Sequence, residues 1–207
     1  MISVNEKFGE LPGEALIQKT VKALKGKGVK VWIAETAEDA KKFFYSIIPE
    51  QSEIMNMVST TLQQIGIDKE IMESGKFKSV KKMLEQMGQK GPNIGKKRMG
   101  TAQEWVVGSV HAVTQTGSLI IASATGSQIP SYAYGADKVL FLVGAQKIVT
   151  DLDEGIKRIY EYCLPLENER SFRVYGTGSG VNKILIINQE VIPNRLNIVI
   201  IKQKLGF

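Results

Sequence analysis

The chain has 207 residues, a formal net charge of +6, 43% hydrophobic and 23% charged residues, which is ordinary for one soluble globular domain. A lone cysteine, Cys163, excludes an internal disulfide and any cysteine-held zinc or iron–sulfur centre built by this chain alone, and a lone His111 excludes a histidine-rich metal site. No apolar run approaches the roughly 20 residues that span a bilayer, and Met1–Lys7 has no signal-peptide core, so a cytoplasmic protein without membrane attachment is expected.

Residues 14–25 read as a helix with Leu16, Val21 and Leu24 on its apolar face, ended by Gly26 and Gly28. Val29, Val31 and Ile33 alternate as a strand. Thr36 caps the next helix, with Asp39 at capping-box distance; Ala40, Phe43, Phe44 and Ile47 form its buried stripe, and Pro49 stops it. Residues 54–58 form a short strand, and Ser59-Thr60-Thr61 leads at once into a helix starting at Leu62. Such a strand–turn–helix passage offers backbone N–H groups to an anion, although Ser59 also suits a simple N-cap.

The stretch from Ile67 to Gly100 is an excursion, broken by Gly88, Gly91, Pro92, Gly95 and Gly100. Phe77, Val80, Met83, Leu84 and Met87 have helical spacing and serve packing. Its segment 76–98 holds Lys76, Lys78, Lys81, Lys82, Lys90, Lys96, Lys97 and Arg98 against one acid, Glu85, so the chain's net basicity is local. That basicity fits a solvated helix face or a basic lid over an anionic ligand. Nucleic acid is disfavoured, because only Phe77 interleaves with the bases.

Residues 102–107 read as a short helix. Two strand-like runs come next, Val110–Gln115 and Leu119–Ala124, joined by Thr116-Gly117-Ser118 and followed by Gly126-Ser127-Gln128. Both corners could present hydroxyl and N–H groups to an anion. Val139–Val143 is a continuous apolar run suited to a strand covered on both faces. Thr150-Asp151 caps a helix with Leu152, Ile156, Ile159, Tyr160 and Cys163 on one face, closed by Pro165, which makes Cys163 a core residue rather than a nucleophile. Residues 166–173 read as a polar connection to the loop Gly176-Thr177-Gly178-Ser179-Gly180. That loop fails both the P-loop and the dinucleotide patterns, and a strand, Ile184–Ile187, stands where a helix is required. The short link through Pro193-Asn194 to Ile198–Ile201 predicts antiparallel pairing of the last two strands.

Helices alternating with apolar strands define an α/β protein with a mixed, mainly parallel sheet and helices on both faces. The candidate ligand-binding wall is Gln115, Thr116, Gly117, Ser118, Gly126, Ser127 and Gln128, with Ser59 and Thr60 opposite. No residue is assigned as catalytic or as a metal ligand.

Val107-Gly108 through Val113, Thr116-Gly117-Ser118-Leu119, Gly126-Ser127-Gln128 with Pro130, Val139–Val143, Gln146–Val149, Val181–Asn188 and Leu205-Gly206-Phe207 occur in an order that resembles the LUD-domain family. The similarity is to its lactate utilization proteins, in the subunit type without iron–sulfur motifs. The resemblance implies one LUD domain over residues 1–207, with 67–100 as a basic lid or excursion. It also implies a fold similar to the NagB/ribose-phosphate isomerase/CoA-transferase group and a part in oxidising L-lactate to pyruvate. In that setting no cofactor belongs to this chain, iron–sulfur clusters sit in partner subunits, the ligand is a small anion, and homo-oligomers are allowed. Family members usually carry Glu before the Thr-Gly pair; Gln115 stands there, and a neutral amide does no acid–base work. The departure favours an accessory or ligand-binding subunit. The alternative is a stand-alone isomerase or acyl/CoA transferase acting on a phosphorylated or CoA-linked acid. It would hold the anion with Ser59, Ser118 or Ser127 and Lys147 or Lys183, and take a base from Glu104, Asp137 or His111.

Overall fold

The chain is described from a computed structural model covering residues 3–88 and 93–207. Met1, Ile2, Lys90, Gly91 and Pro92, which figure in the sequence reading, lie outside the described residues.

An uninterrupted apolar run must be covered on both faces, and Val139–Val143 is treated that way. It forms most of β7 (Lys138–Gly144), buried from Val139 onward. On one side of β7 lie β10 (Leu196–Ile201) and then β1 (Lys30–Ala34). On the other lie β4 (Trp105–Gly108), β2 (Glu53–Asn56) and the two-residue β3 (Lys78–Ser79). Every pairing in this six-stranded sheet is parallel.

Successive strand residues point to opposite faces, so each apolar run feeds two cores. Leu140, Leu142, Val199 and Ile201 face α2 (Ala37–Ile47), α3 (Thr60–Ile65) and α4 (Ile67–Glu73), meeting Ala40, Phe44, Leu62, Ile65, Ile67 and Ile71. Phe44 also sets its ring edge-on to Phe77, 5.4 Å between centroids. Val139, Phe141, Val143, Ile198 and Ile200 face the other way, toward α1 (Glu14–Gly26) and a second sheet. Thr36 and Ser59 cap α2 and α3 as the sequence predicts, accepting from Asp39 N and Leu62 N.

The second sheet has the order β8 (Ile148–Val149), β5 (Ala112–Thr114), β6 (Leu119–Ser123), β9 (Lys183–Ile187). β5 runs parallel to β8, and β6 is antiparallel to both β5 and β9. Val113, Leu119 and Ile121 face the main sheet; Ala112, Ile120 and Ala122 face outward and pack with Ile159. The α/β class holds, with parallel and mixed pairing divided between two sheets rather than mixed in one. One face of the parallel sheet is helical, and the other is shared between α1 and the second sheet.

Three local expectations are overturned. Residues 102–107 are not a helix: Trp105-Val106-Val107 enters the sheet as β4 between β2 and β7, where two large β-branched residues and an indole pack better than on a one-turn helix. The last two runs do not pair. β9 ends in one sheet and β10 begins in the other, so the link through Pro193-Asn194 crosses between layers and β10 enters parallel between β1 and β7. Pro165 does not close a helix. After α7 (Leu152–Arg158) the chain makes one π-turn at Ile159–Cys163 and continues as α8 (Leu164–Tyr175), absorbing the residues expected as a polar connection. Pro165 stands in the first turn of α8, where a missing N–H costs little. Of the predicted apolar face, Ile159 and Cys163 are buried, whereas Leu152 and Tyr160 are exposed. Within the excursion, α5 (Val80–Gln86) and α6 (Ile94–Met99) flank the residues outside the description.

Candidate functional site

In parallel α/β sheets ligands gather beyond the strand C-terminal ends, where the chain order reverses. Here the chain leaves β2 for the edge strand β3 and returns to β4 on β2's other side. A cleft of about 490 Å³ opens at that point. Its floor comes from the segments leaving β2 (Met57–Thr61) and β4 (Ser109–His111), together with Lys147 just past β7. Its outer wall comes from the end of β6 (Ala122–Thr125), Ser127 and Gln128, with Cys163 and Arg170 from the π-turn and the helix beyond it and the loop Gly178–Val181.

The structure divides the predicted wall. Ser59, Thr60, Ser127 and Gln128 line the cleft, and Gly126 adjoins it with Lys183 lying across its α-carbon. The Gln128 side chain is held by Ser123, whose hydroxyl donates to Oε1 at 3.0 Å and accepts from Gly126 N at 2.8 Å. Gln115, Thr116, Gly117 and Ser118 are not in the cleft. They form the β5–β6 turn at the far end of β6, five residues or roughly 17 Å of strand away. The polar groups of that turn are engaged structurally. Gln115 Oε1 accepts from Lys19 Nζ at 3.0 Å, Thr114 Oγ1 accepts from Ser118 N at 2.9 Å, and Ser118 Oγ donates to Asn188 Oδ1 at 3.0 Å. Gly117 has φ +85°, and a Cβ there would sit 2.9 Å from the Ala23 backbone, so this glycine lets the hairpin lie against α1.

The candidate bases divide too. Glu104 and Asp137 stand at the N-terminal ends of β4 and β7, away from the cleft; Glu104 accepts from Glu53 N at 3.0 Å. His111 does line the cleft, with Nδ1 accepting from Ala122 N at 3.1 Å. Burial first, and then the charges of Lys147 and Arg158, push its pKa down to about 3, so the ring is neutral.

The strongest charges in the region are cationic. Lys147 is 2% exposed, and its Nζ donates to Thr61 Oγ1 at 3.0 Å and Ser109 Oγ at 3.1 Å. Burial, aided by the Arg158 charge, brings its pKa down to about 7. Arg158 is fully buried behind the wall, donating from one Nη to the His111 carbonyl and to Cys163 Sγ, while its Nε and other Nη find no partner. Neither Lys147 nor Arg158 meets a carboxylate among the described residues, whereas Arg170 at the rim is gripped bidentately by Glu167 at 2.6 and 2.7 Å. A buried cation without a counter-ion is costly unless something negative arrives. On the other wall Asn56 gives its amide N–H to Asp68 at 2.8 Å, which leaves its buried Oδ1 as an acceptor without a partner.

Of the two lysines the sequence offered to hold an anion, Lys147 lines the cleft. Thr61 and Ser109 were hidden as ordinary polar residues of connecting segments, and Arg158 as a solvated helix residue, although it shares the buried face of α7 with Gly155. In the basic stretch, Lys81 lines the cleft, Lys76 lies over the Tyr45 ring near Glu70, and Lys78, Lys82, Lys97 and Arg98 are exposed. No helix among the described residues is long and apolar enough to cross a membrane.

The chain is thus an α/β protein whose parallel sheet carries a cleft with a buried lysine at its reversal point. The family model of the LUD domain matches residues 17–201, and the chain belongs to the LUD-domain family. A DUF162 family protein from Deinococcus radiodurans has a similar fold, with a TM-score of 0.56 at 11% identity over 93% of this chain and 99% of that one. The δ subunit of eIF2B from Chaetomium thermophilum is more distant, with a TM-score of 0.37 at 17% identity over 70% of this chain and 57% of that one. No curated protein matches the chain.

Proposed function

We propose that this LUD-domain chain binds a small anionic ligand in the cleft and serves a lactate-utilisation system as its accessory or ligand-binding subunit. The supporting observation is the pair of buried cations, Lys147 and Arg158, left without a carboxylate among the described residues. The ligand's negative end sits at Lys147, with the hydroxyls of Ser59, Thr60, Thr61 and Ser109 around it and Ser127 and Gln128 on the opposite wall. Asn56 Oδ1 accepts from a ligand hydroxyl. Electrons move through the iron–sulfur clusters of partner subunits, not through a group on this chain.

Thermal-shift and calorimetric titration with L-lactate, pyruvate, inorganic phosphate and CoA test the reading. A ligand held at 100 times its Kd stabilises by about 2.7 kcal/mol, a shift of several degrees. At least one of these anions is expected to produce such a shift, and Lys147→Met to abolish it. No shift with any of them, or a shift unchanged in Lys147→Met, overturns the assignment.

A further inference from the structure

We infer that Lys147 is a nucleophile toward carbonyl compounds: its amine condenses with the ketone of a short 2-oxo acid to form an imine in the cleft. The inference rests on the anion-binding reading and names the substrate class for it.

The geometry comes first. Lys147 Nζ lies on the cleft floor, shielded from bulk water, and its hydrogen bonds go to two neutral hydroxyls rather than to a carboxylate that would hold it as an ammonium ion. A lysine amine becomes a useful nucleophile when it is desolvated or set beside another cation. Both conditions are met, since Arg158 is buried nearby and its charge disfavours a second one on Lys147. The amine is therefore available in its neutral form near pH 7.

The substrate class is set by the surroundings. Neither Lys147 nor Arg158 is paired with an acid among the described residues, so the reacting ketone arrives with an anionic group attached, and a carboxylate on the adjacent carbon keeps that charge beside the nitrogen. In the step, the Nζ lone pair attacks the carbonyl carbon, a C–N bond forms, and the carbonyl oxygen takes a proton. Thr61 and Ser109, each within 3.1 Å of Nζ, relay the protons lost by the amine. The carbinolamine then releases its oxygen as water and leaves a C=N bond, with no oxidant or reductant required. Protonation of the imine restores a positive charge at the site Lys147 occupied, so the contact with the carboxylate survives the condensation.

The test uses the full chain and pyruvate as the probe. Protein incubated with pyruvate and sodium cyanoborohydride is examined by intact mass and peptide mapping, alongside thermal shifts with pyruvate alone. The expected result is one reduced pyruvyl adduct per chain, mapping to Lys147 and lost in Lys147→Arg, which keeps the charge but not the nucleophile. Because the map locates the adduct in the unmodified protein, the result stands even if the variant folds poorly. A pyruvate-induced thermal shift without an adduct, or adducts spread over surface lysines and unchanged in Lys147→Arg, overturns the imine and leaves the anion site standing. Neither shift nor adduct overturns both.

Discussion

Replacing Lys147 by Met separates the cost of a buried charge from the worth of its hydrogen bonds. The pKa falls from 10.5 to about 7 on folding, so below pH 7 the native state carries an ammonium that it holds less well than water does. At about 1.36 kcal/mol for each pH unit, the penalty has a ceiling of about 5 kcal/mol. Against this, the variant loses hydrogen bonds to Thr61 and Ser109, worth about 1 kcal/mol each, although Thr61 Oγ1 keeps its bond to the Leu205 carbonyl. At pH 6 the variant is therefore expected to be more stable by about 2–3 kcal/mol, the net of those terms. The sign with pH is set by proton counting. Between about 7 and 10.5 the unfolded chain holds the Lys147 proton and the folded chain does not, so wild-type stability rises with pH across that window. The Met variant lacks this rise, and its advantage shrinks and then reverses by about pH 9.5. Urea unfolding of both proteins at pH 6 and pH 9.5 measures it, all other lysines being common to the two. A stability difference that stays constant between the two pH values refutes the reasoning.

Affinity for an anion at Lys147 should fall about tenfold for each pH unit above 7 until the pKa of the complex is passed, with proton uptake on binding seen as buffer-dependent heats in calorimetry; pH-independent affinity contradicts it. His111, neutral when folded and held at about 3 where the unfolded ring lies at 6.5, should add a separate loss of stability as pH falls from about 6.5 toward 3, and His111→Gln should flatten that limb of the acid-unfolding curve. Gly117→Ala should cost about 1–3 kcal/mol in chemical unfolding, through positive φ and the Ala23 backbone, while leaving ligand Kd unchanged; a large affinity loss with intact stability would return that turn to the binding site. Arg195 is 3% exposed and bonds Glu190 at 2.8 Å and the carbonyls of Ser131, Tyr132 and Ala136, so Arg195→Ala should lower stability by about 3–5 kcal/mol by leaving a buried carboxylate unpaired; a loss below about 1 kcal/mol on urea unfolding would contradict that.

Much of the fold was readable because its signals were local. The Thr36 and Ser59 caps, the apolar run at Val139–Val143 and the tight turn at Gly117 each sit where short-range chemistry alone decides the conformation. What escaped was set at long range. Trp105-Val106-Val107 becomes a strand only because β2 and β7 stand on either side of it, and β9 and β10 part company because each finds a distant partner. The site obeyed the same rule. Ser59 and Thr60 were identifiable because they come directly after a parallel strand, and Ser127 and Gln128 because they close the next corner. The Gln115–Ser118 corner has the same residue types, but strand direction carried it to the opposite end of β6, and direction has no signature in composition. Arg158 escaped because it shares the buried face of α7 with Gly155, a residue that gives no apolar signal to mark that face.

The position of β10 has a consequence for synthesis. It follows both β1 and β7 in chain order, yet it lies between them. While residues 196–201 are still inside the ribosome, β1 has no neighbour to pair with and β7 lacks one of its two. The apolar surface of α1, which rests on that half of the sheet, must wait as well. Emergence of residues 196–201 is thus the event that zips the layer shut, and a nascent chain halted shortly before it would present two unpaired, sticky edges to whatever chaperone or like chain it met first.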